Sequence, residues 1–202
     1  GGVFKRKRWA QKIDQSGKLI AVTGGNAGLG LSTVEQLAQW GAEVVLLCRN
    51  VSRGESARAD IAAIAADAGK RISVDELDLA SLDSIRKYVD RVKRSGKKLN
   101  VLIANAGIWG AGRTADGFPL MFGVNHVGHF FLIERLIHEH LFDSDARIVV
   151  LASEASAHGK WNADDISNAD AKYATGFGSL TGYNNSKLYN CMFVRELHRR
   201  LE

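Results

Sequence analysis

A doubly wound α/β sheet of parallel strands is the fold class the sequence predicts, and three observations predict it. Short apolar runs alternate along the chain with segments of helical period. The first run ends in a glycine-rich turn that leads directly into a helix, and the fourth, Leu99 to Ala104, is nearly all apolar, as a strand covered on both faces of a parallel sheet should be. The 202 residues suffice for one domain and leave too little chain for a second core. With 46% hydrophobic and 24% charged residues the composition is that of a folded domain, which excludes disorder, and no stretch approaches the ~18 consecutive apolar residues of a membrane span.

Each element follows from local pattern. Residues 1–17 form a basic arm, and residues 18–202 form the folded domain. Leu19 to Thr23 is the first strand; after the glycines, Leu31, Val34, Leu37 and Ala38 recur at helical spacing up to Gly41, a residue type suited to a helix end. Glu43 to Cys48 is the second strand, Gly54 to Ala68 an alanine-rich helix closed by Gly69, and Ile72 to Leu77 the third strand. Leu82, Ile85, Val89 and Val92 make one apolar helical stripe that Gly96 ends. Beyond the fourth strand the pattern predicts a long helix from about Phe118 to His140 and a fifth strand from Ile148 to Ala152. Glu154 to Leu180 has no period and reads as a long loop, and Thr181 to Leu201 as a last helix. Consecutive βα units imply right-handed crossovers.

Charge and cysteine content narrow the setting. The net charge is +5, with one run at Lys5 to Arg8 and another at Lys93, Arg94, Lys97 and Lys98. Neither carries interleaved aromatics beyond Trp9, so no nucleic-acid partner is expected. The runs read as a solvated arm, compatible with peripheral membrane association, and as cations offsetting a helix dipole. Two cysteines, Cys48 and Cys191, without metal-ligand spacing point to a reducing intracellular compartment, cytoplasmic or organellar. Gly1-Gly2 is neither an initiating methionine nor part of a signal peptide, and is read as a mature or incomplete N-terminus.

The chemistry lies in four places. Thr23-Gly24-Gly25-Asn26-Ala27-Gly28-Leu29-Gly30 joins strand to helix; Gly24 and Gly28 give room for a pyrophosphate, Gly30 permits close packing, and the helix N-terminus offers free N–H groups. No Lys-Ser or Lys-Thr follows, which excludes a P-loop. At the end of the second strand a carboxylate would bind ribose hydroxyls; Arg49 stands there instead and suits a 2′-phosphate, so NADP(H) is expected over NAD(H), the alternative being a merely solvated arginine. Tyr183 and Lys187 are four apart in a helical stretch and share a face, where an ammonium favours a phenolate. Asn125 is a polar residue among Phe122, Val124, Val127 and Phe130, where a buried amide needs partners. His126 and His129 share a helical side, but no further ligand stands at metal spacing, so hydrogen-bonded histidines are expected and no metal. Trp109, Trp161, Tyr173 and Phe177 either line a substrate pocket or cover the core.

These motifs, in this order, resemble the short-chain dehydrogenase/reductase family, a Rossmann-type fold, from about Lys12 to the last residue. TGxxxGxG is Thr23 to Gly30, the adenine-side acidic motif is Asp78-Leu79, the NAG motif is Asn105-Ala106-Gly107, and Asn125, Ser153 and YxxxK from Tyr183 to Lys187 complete the set. The resemblance implies cofactor contacts from Thr23, Gly24, Asn26, Gly28, Leu29, Gly30, Asp78, Leu79, Asn105, Ala106, Gly107, Tyr183 and Lys187. It implies that Tyr183 is the general acid, that Lys187 lowers its pKa and holds the nicotinamide ribose, that Ser153 binds the substrate oxygen, and that Asn125 holds a relay water. Cys48-Arg49-Asn50, Asp78 to Leu82 and Asn125 to Phe130 resemble the branch of retinol dehydrogenase-like and light-dependent protochlorophyllide reductases, the first favoured.

The expected function is NADP(H)-dependent interconversion of a carbonyl and an alcohol on a hydrophobic small molecule, in a homo-oligomer or a subunit of a larger assembly. Relative to the family pattern these residues stop before the C-terminal strands: either the natural protein continues beyond them, or this is a shortened member in which apolar Ile148, Val149, Val150 and Leu151 would lie on an exposed edge. A second reading is therefore a non-catalytic dehydrogenase-like subunit with a structural or regulatory role.

Overall fold

In the computed structural model, which describes residues 13–161 and 177–201, five parallel strands form one sheet in the order β3-β2-β1-β4-β5. They are β1 (Leu19–Thr23), β2 (Glu43–Cys48), β3 (Ile72–Glu76), β4 (Leu99–Ala104) and β5 (Phe142–Val150). Connecting them are α1 (Gly28–Gln39), α2 (Val51–Ile64), α3 (Ala66–Lys70), α4 (Leu82–Ser95), α5 (Leu120–Phe122) and α6 (Gly128–His138), with α7 (Phe177–Leu201) last. Residues 1–12 of the arm, Tyr173 and the side chain of Phe177 lie outside the described residues.

The period of two along each strand divides the core. Ile20 and Val22 of β1 join Val44, Leu46 and Ile72 under α1 and α2, against Val34, Ala38, Ala57 and Ile61. Ala21 joins Leu47, Leu102 and Ala104 on the other face, against Ile85 and Val89 of α4, Leu132, Ile133 and Leu136 of α6, and Phe193 and Leu197 of α7. Both faces are covered, which explains why the central strands carry almost no polar residue.

Helix ends follow their sequence signals in two places. Gly41 and Gly96 take left-handed φ values of 99° and 67° just past α1 and at the end of α4, where glycine alone escapes the Cβ penalty. Asn50 caps α2 by accepting the Arg53 N–H, so that helix begins at Val51 rather than Gly54.

Other expectations are corrected. The alanine-rich segment is two helices, broken at Ala65, and Gly69 does not close it: it lies inside α3, where a Cβ would collide with Ala62. The helix expected from Phe118 to His140 begins at Leu120, after Pro119, and stops at His138, with His140 left-handed at φ 54°. Between α5 and α6 it widens into a π-turn, Gly123–Val127, in which the Gly128 N–H bonds to the Gly123 carbonyl five residues back. β5 starts six residues earlier than expected, because polar Asp143, Ser144 and Asp145 sit at an irregularity in its pairing with β4 and face solvent. Its outer edge is unpaired among the described residues, and Val149 is 44% exposed. The expected loop starts as a 3₁₀ turn, Glu154–His158, and α7 begins four residues before Thr181.

The Tyr88 hydroxyl is buried beneath α4 and has no hydrogen-bond partner. Burial holds its ionisation far above the ordinary phenol range, so it is a neutral, unpaired group. Replacing an unsatisfied buried polar atom with hydrogen removes a desolvation penalty, so Tyr88→Phe should raise stability by about 1 kcal/mol. Urea unfolding of the two proteins checks this; a Phe variant less stable than the parent would contradict it.

Candidate active site

The chain runs β1 to β3 outward and returns to place β4 beside β1, so a crevice opens at the carboxyl ends of those two strands. A cavity of about 690 Å³ occupies it. Its walls include Thr23, Gly24, Asn26, Leu29 and Gly30 from the glycine turn, Arg49 after β2, Asp78 and Leu79 after β3, Asn105, Ala106 and Gly107 after β4, and Tyr183 and Lys187 from α7.

The glycines divide their work differently from the sequence reading. Gly28, at φ 54°, has open space where a Cβ would stand, whereas a Cβ on Gly24, at φ 64°, would press on Ala106 at 3.1 Å. One on Gly30 would strike the Gly24 carbonyl and the Asn105 side chain, so Gly30 packs against the turn itself. The glycine that seats the turn on the sheet is Gly25, whose Cβ would lie 2.9 Å from Leu46. At α1 the N-cap residue is Ala27, which offers no side-chain acceptor, and no acidic residue occupies the first turn. The positive end of that helix therefore faces the cavity without a side chain to neutralise it.

Arg49 is joined on the cavity wall by Asn50 and Arg53. The sequence reading passed over Arg53, although a cation one helical turn beyond Arg49 was a readable signal. Asp78 is on the wall too, but its carboxylate already accepts the Ala80 N–H at 2.9 Å and so shapes its own turn. Asn105 donates to the Thr23 carbonyl at 2.8 Å, tying the β4 loop to the glycine turn.

At the other end, Lys187 is buried among the cavity walls and donates to the Leu151 carbonyl at 3.1 Å. Burial pushes its ammonium pKa down. Its Nζ is 5.8 Å from the centre of the Tyr183 ring, which also meets Trp109 with ring centroids 5.1 Å apart. Trp109 is 57% exposed and, with Ile108, Leu120 and Val124, makes that end of the cavity apolar. Trp161 instead packs edge-on against Tyr189. Ser153 follows Ala152, the last residue of its segment on the cavity wall, and its Oγ accepts the Ala155 N–H as the cap of the 3₁₀ turn.

Asn125 sits in the π-turn, fully buried. Its side chain accepts the Ile108 N–H at 2.8 Å and donates to the Ile108 carbonyl and to Ser186 Oγ. Its carbonyl receives His129 Nδ1 and Asn190 Nδ2. Asn190 also donates to Leu151 and meets His126 Nδ1 at 3.0 Å, while His129 Nε2 meets Thr23 Oγ1 at 2.9 Å. Among the described residues no three His, Cys, Asp or Glu side chains cluster as metal ligands. The sequence reading missed Ser186 and Asn190 as partners of Asn125. The signal was the run Asn184-Asn185-Ser186-Lys187 with Asn190, too polar for a helix face packed on a core.

The short chain dehydrogenase family model matches residues 18–163. The chain is 39% identical over 188 residues to retinol dehydrogenase 12 of Mus musculus, covering 92% of this chain and 57% of that protein. It is 39% identical over 199 residues to retinol dehydrogenase 14 of Homo sapiens, covering 92% and 58%. It thus spans little more than half the length of these relatives. Among solved structures, an uncharacterised protein from Mycobacterium paratuberculosis superposes with a TM-score of 0.79 at 34% identity, over 93% of this chain and 64% of that one. No helix among the described residues is long and apolar enough to cross a membrane.

Burial of the histidines has a measurable consequence. Desolvation pushes His129 down to about 4, against the Asn125 hydrogen bond that opposes it, and lowers His126 likewise. The unfolded chain, with imidazoles near the ordinary 6.5, binds protons more readily, so stability is full above about pH 6.5 and falls as pH descends towards 4. His129 alone should account for about 3 kcal/mol across that window. Urea midpoints between pH 4 and 7 check this, and a flat profile would contradict it.

Proposed function

The chain belongs to the short-chain dehydrogenase/reductase family, in its retinol dehydrogenase-like branch, and from that premise we propose that it is an NADP(H)-dependent oxidoreductase interconverting a carbonyl and an alcohol on a hydrophobic small molecule. The observation that carries this reading is the meeting of Tyr183 and Lys187 with the glycine turn in one cleft. The residues present fit a dinucleotide: the α1 N-terminus lacks a side-chain cap, the space beside Gly28 is open, and two arginines flank the end of β2. Bound there, the nicotinamide supplies or accepts the hydride.

The chain's own residues supply the rest. Tyr183 donates its hydroxyl proton to the carbonyl oxygen as the alcohol forms, and takes it back in the reverse direction. Lys187, held by the Leu151 carbonyl, keeps a positive charge near the phenol, where it favours the phenolate left behind, and is placed to hold a ribose hydroxyl. Asn125 locks the loop after β4 to the helix below it through Ile108, which keeps that wall in place. Ser153 is assigned the substrate oxygen. Trp109, Ile108, Leu120 and Val124 support a hydrophobic substrate, because an apolar wall favours a ligand that sheds water on entry. The match to retinol dehydrogenases along nine-tenths of the chain supports catalysis over a purely structural subunit. Phe130 on α6 and Met192 and Val194 on α7 are exposed apolar residues suited to self-association, which light scattering at micromolar concentration tests.

Two outcomes are expected. NADPH should bind more tightly than NADH, Arg49→Ala and Arg53→Ala should each remove part of the difference, and the double variant most of it; equal affinities by titration calorimetry would refute the preference. Tyr183→Phe should lower single-turnover NADPH oxidation with hydrophobic aldehydes by ~10²-fold or more while leaving cofactor affinity intact. Near-full turnover in that variant would remove Tyr183 from the acid role.

A further inference from the structure

The hydrogen bonds around Thr23 and His129 admit one arrangement of protons. A carbonyl only accepts, so His129 Nδ1, 3.2 Å from the Asn125 oxygen, carries the imidazole proton. Nε2 is then bare, and the Thr23 hydroxyl, 2.9 Å away, donates to it. The same hydroxyl oxygen accepts the Ala106 N–H at 2.9 Å. His129 is 1% exposed, with the charge of Lys187 and the His126 ring both disfavouring a second proton. Every polar atom of the imidazole and of the Thr23 side chain is thereby used, and no water is needed to complete the set.

These bonds connect the two ends of the cleft. Thr23 ends β1 and opens the glycine turn; its carbonyl holds Asn105 and its hydroxyl holds Ala106. Asn125, through its carbonyl and side chain, holds Asn190 and Ser186 of α7, the helix that carries Tyr183 and Lys187. His129 is the bridge between these groups. We propose that His129 is a positioning residue: protonated at Nδ1 alone, it joins Thr23 to Asn125 and sets the glycine turn at the spacing from α7 that a dinucleotide reaching both requires. The proposal rests on the reading of the cleft as a dinucleotide site. A side chain of similar bulk without the ring nitrogens would fill the space, yet leave the Thr23 proton unaccepted and the turn free to shift.

The test combines imidazole nitrogen NMR of the unmodified protein with NADPH titration of variants. Nitrogen shifts should show His129 protonated at Nδ1 and bare at Nε2. Thr23→Val and His129→Leu should each raise the NADPH dissociation constant about tenfold, Thr23→Ser should stay near the parent, and the Thr23→Val/His129→Leu double variant should lose clearly less than the two single losses combined, because the Thr23–His129 bond is removed by both. The NMR result stands even if a buried variant fails to fold. A proton on Nε2, equal affinities for the Val and Ser variants, or additive losses in the double variant would each overturn the role of His129. If the unmodified protein binds no NADPH, the dinucleotide reading falls and the positioning role with it, whatever the tautomer.

Discussion

The Thr23 side chain is the fastening point on which the cleft depends. Its hydroxyl meets a histidine 106 residues further along the chain and a backbone amide 83 residues away, and its carbonyl receives Asn105. Such long-range bonds cost chain entropy to form, and the parallel pairing of β1 with β4 offsets that cost by holding the carboxyl ends of the two strands side by side. Once aligned, the buried polar groups must pair with one another because water does not reach them. A partial set would be worse than none, so the network holds a single geometry.

Electrostatics follow from the same frame. The crevice between β1 and β4 collects the uncapped N-terminus of α1 and, across the β2 end, Arg49 and Arg53. All of these favour negative charge, and no acidic side chain in the first turn of α1 opposes them. At the far end the walls turn apolar around Tyr183. The cleft is thus graded along its length, cationic where phosphate would lie and hydrophobic beyond the phenol, with the buried Lys187 between the two.

Much of this was legible in the sequence because it rests on local rules. Strands buried on both faces announce themselves by composition, and the glycine turn by its place between strand and helix. What escaped reading depends on distant partners. Gly69 reads as a helix end by type, yet it is required by the approach of Ala62. The start of β5 was hidden because Asp143 and Asp145 do not alternate with apolar residues; they are satisfied by Asn100 and Lys18, which lie far away in sequence. The π-turn has no propensity signature that separates it from an α-helix. His129 invited a metal test because histidine pairs are metal ligands, whereas its partners are a hydroxyl and a carbonyl that no spacing rule connects.

The π-turn also says something about insertions and deletions. A wide turn of this kind is an α-helix carrying one surplus residue, and in a helix each residue advances the face by about 100°. Deleting one residue between Gly123 and Val127 would let the segment close into an ordinary helix, with α5 and α6 keeping their present facing and the core beneath Leu132 and Leu136 undisturbed. The casualty would be the Asn125 carbonyl, drawn back into the helical ladder and away from His129 and Asn190. By this geometry the extra residue serves the cleft rather than the core, so a homologue that had shed it is expected to keep the architecture while losing this way of building the site.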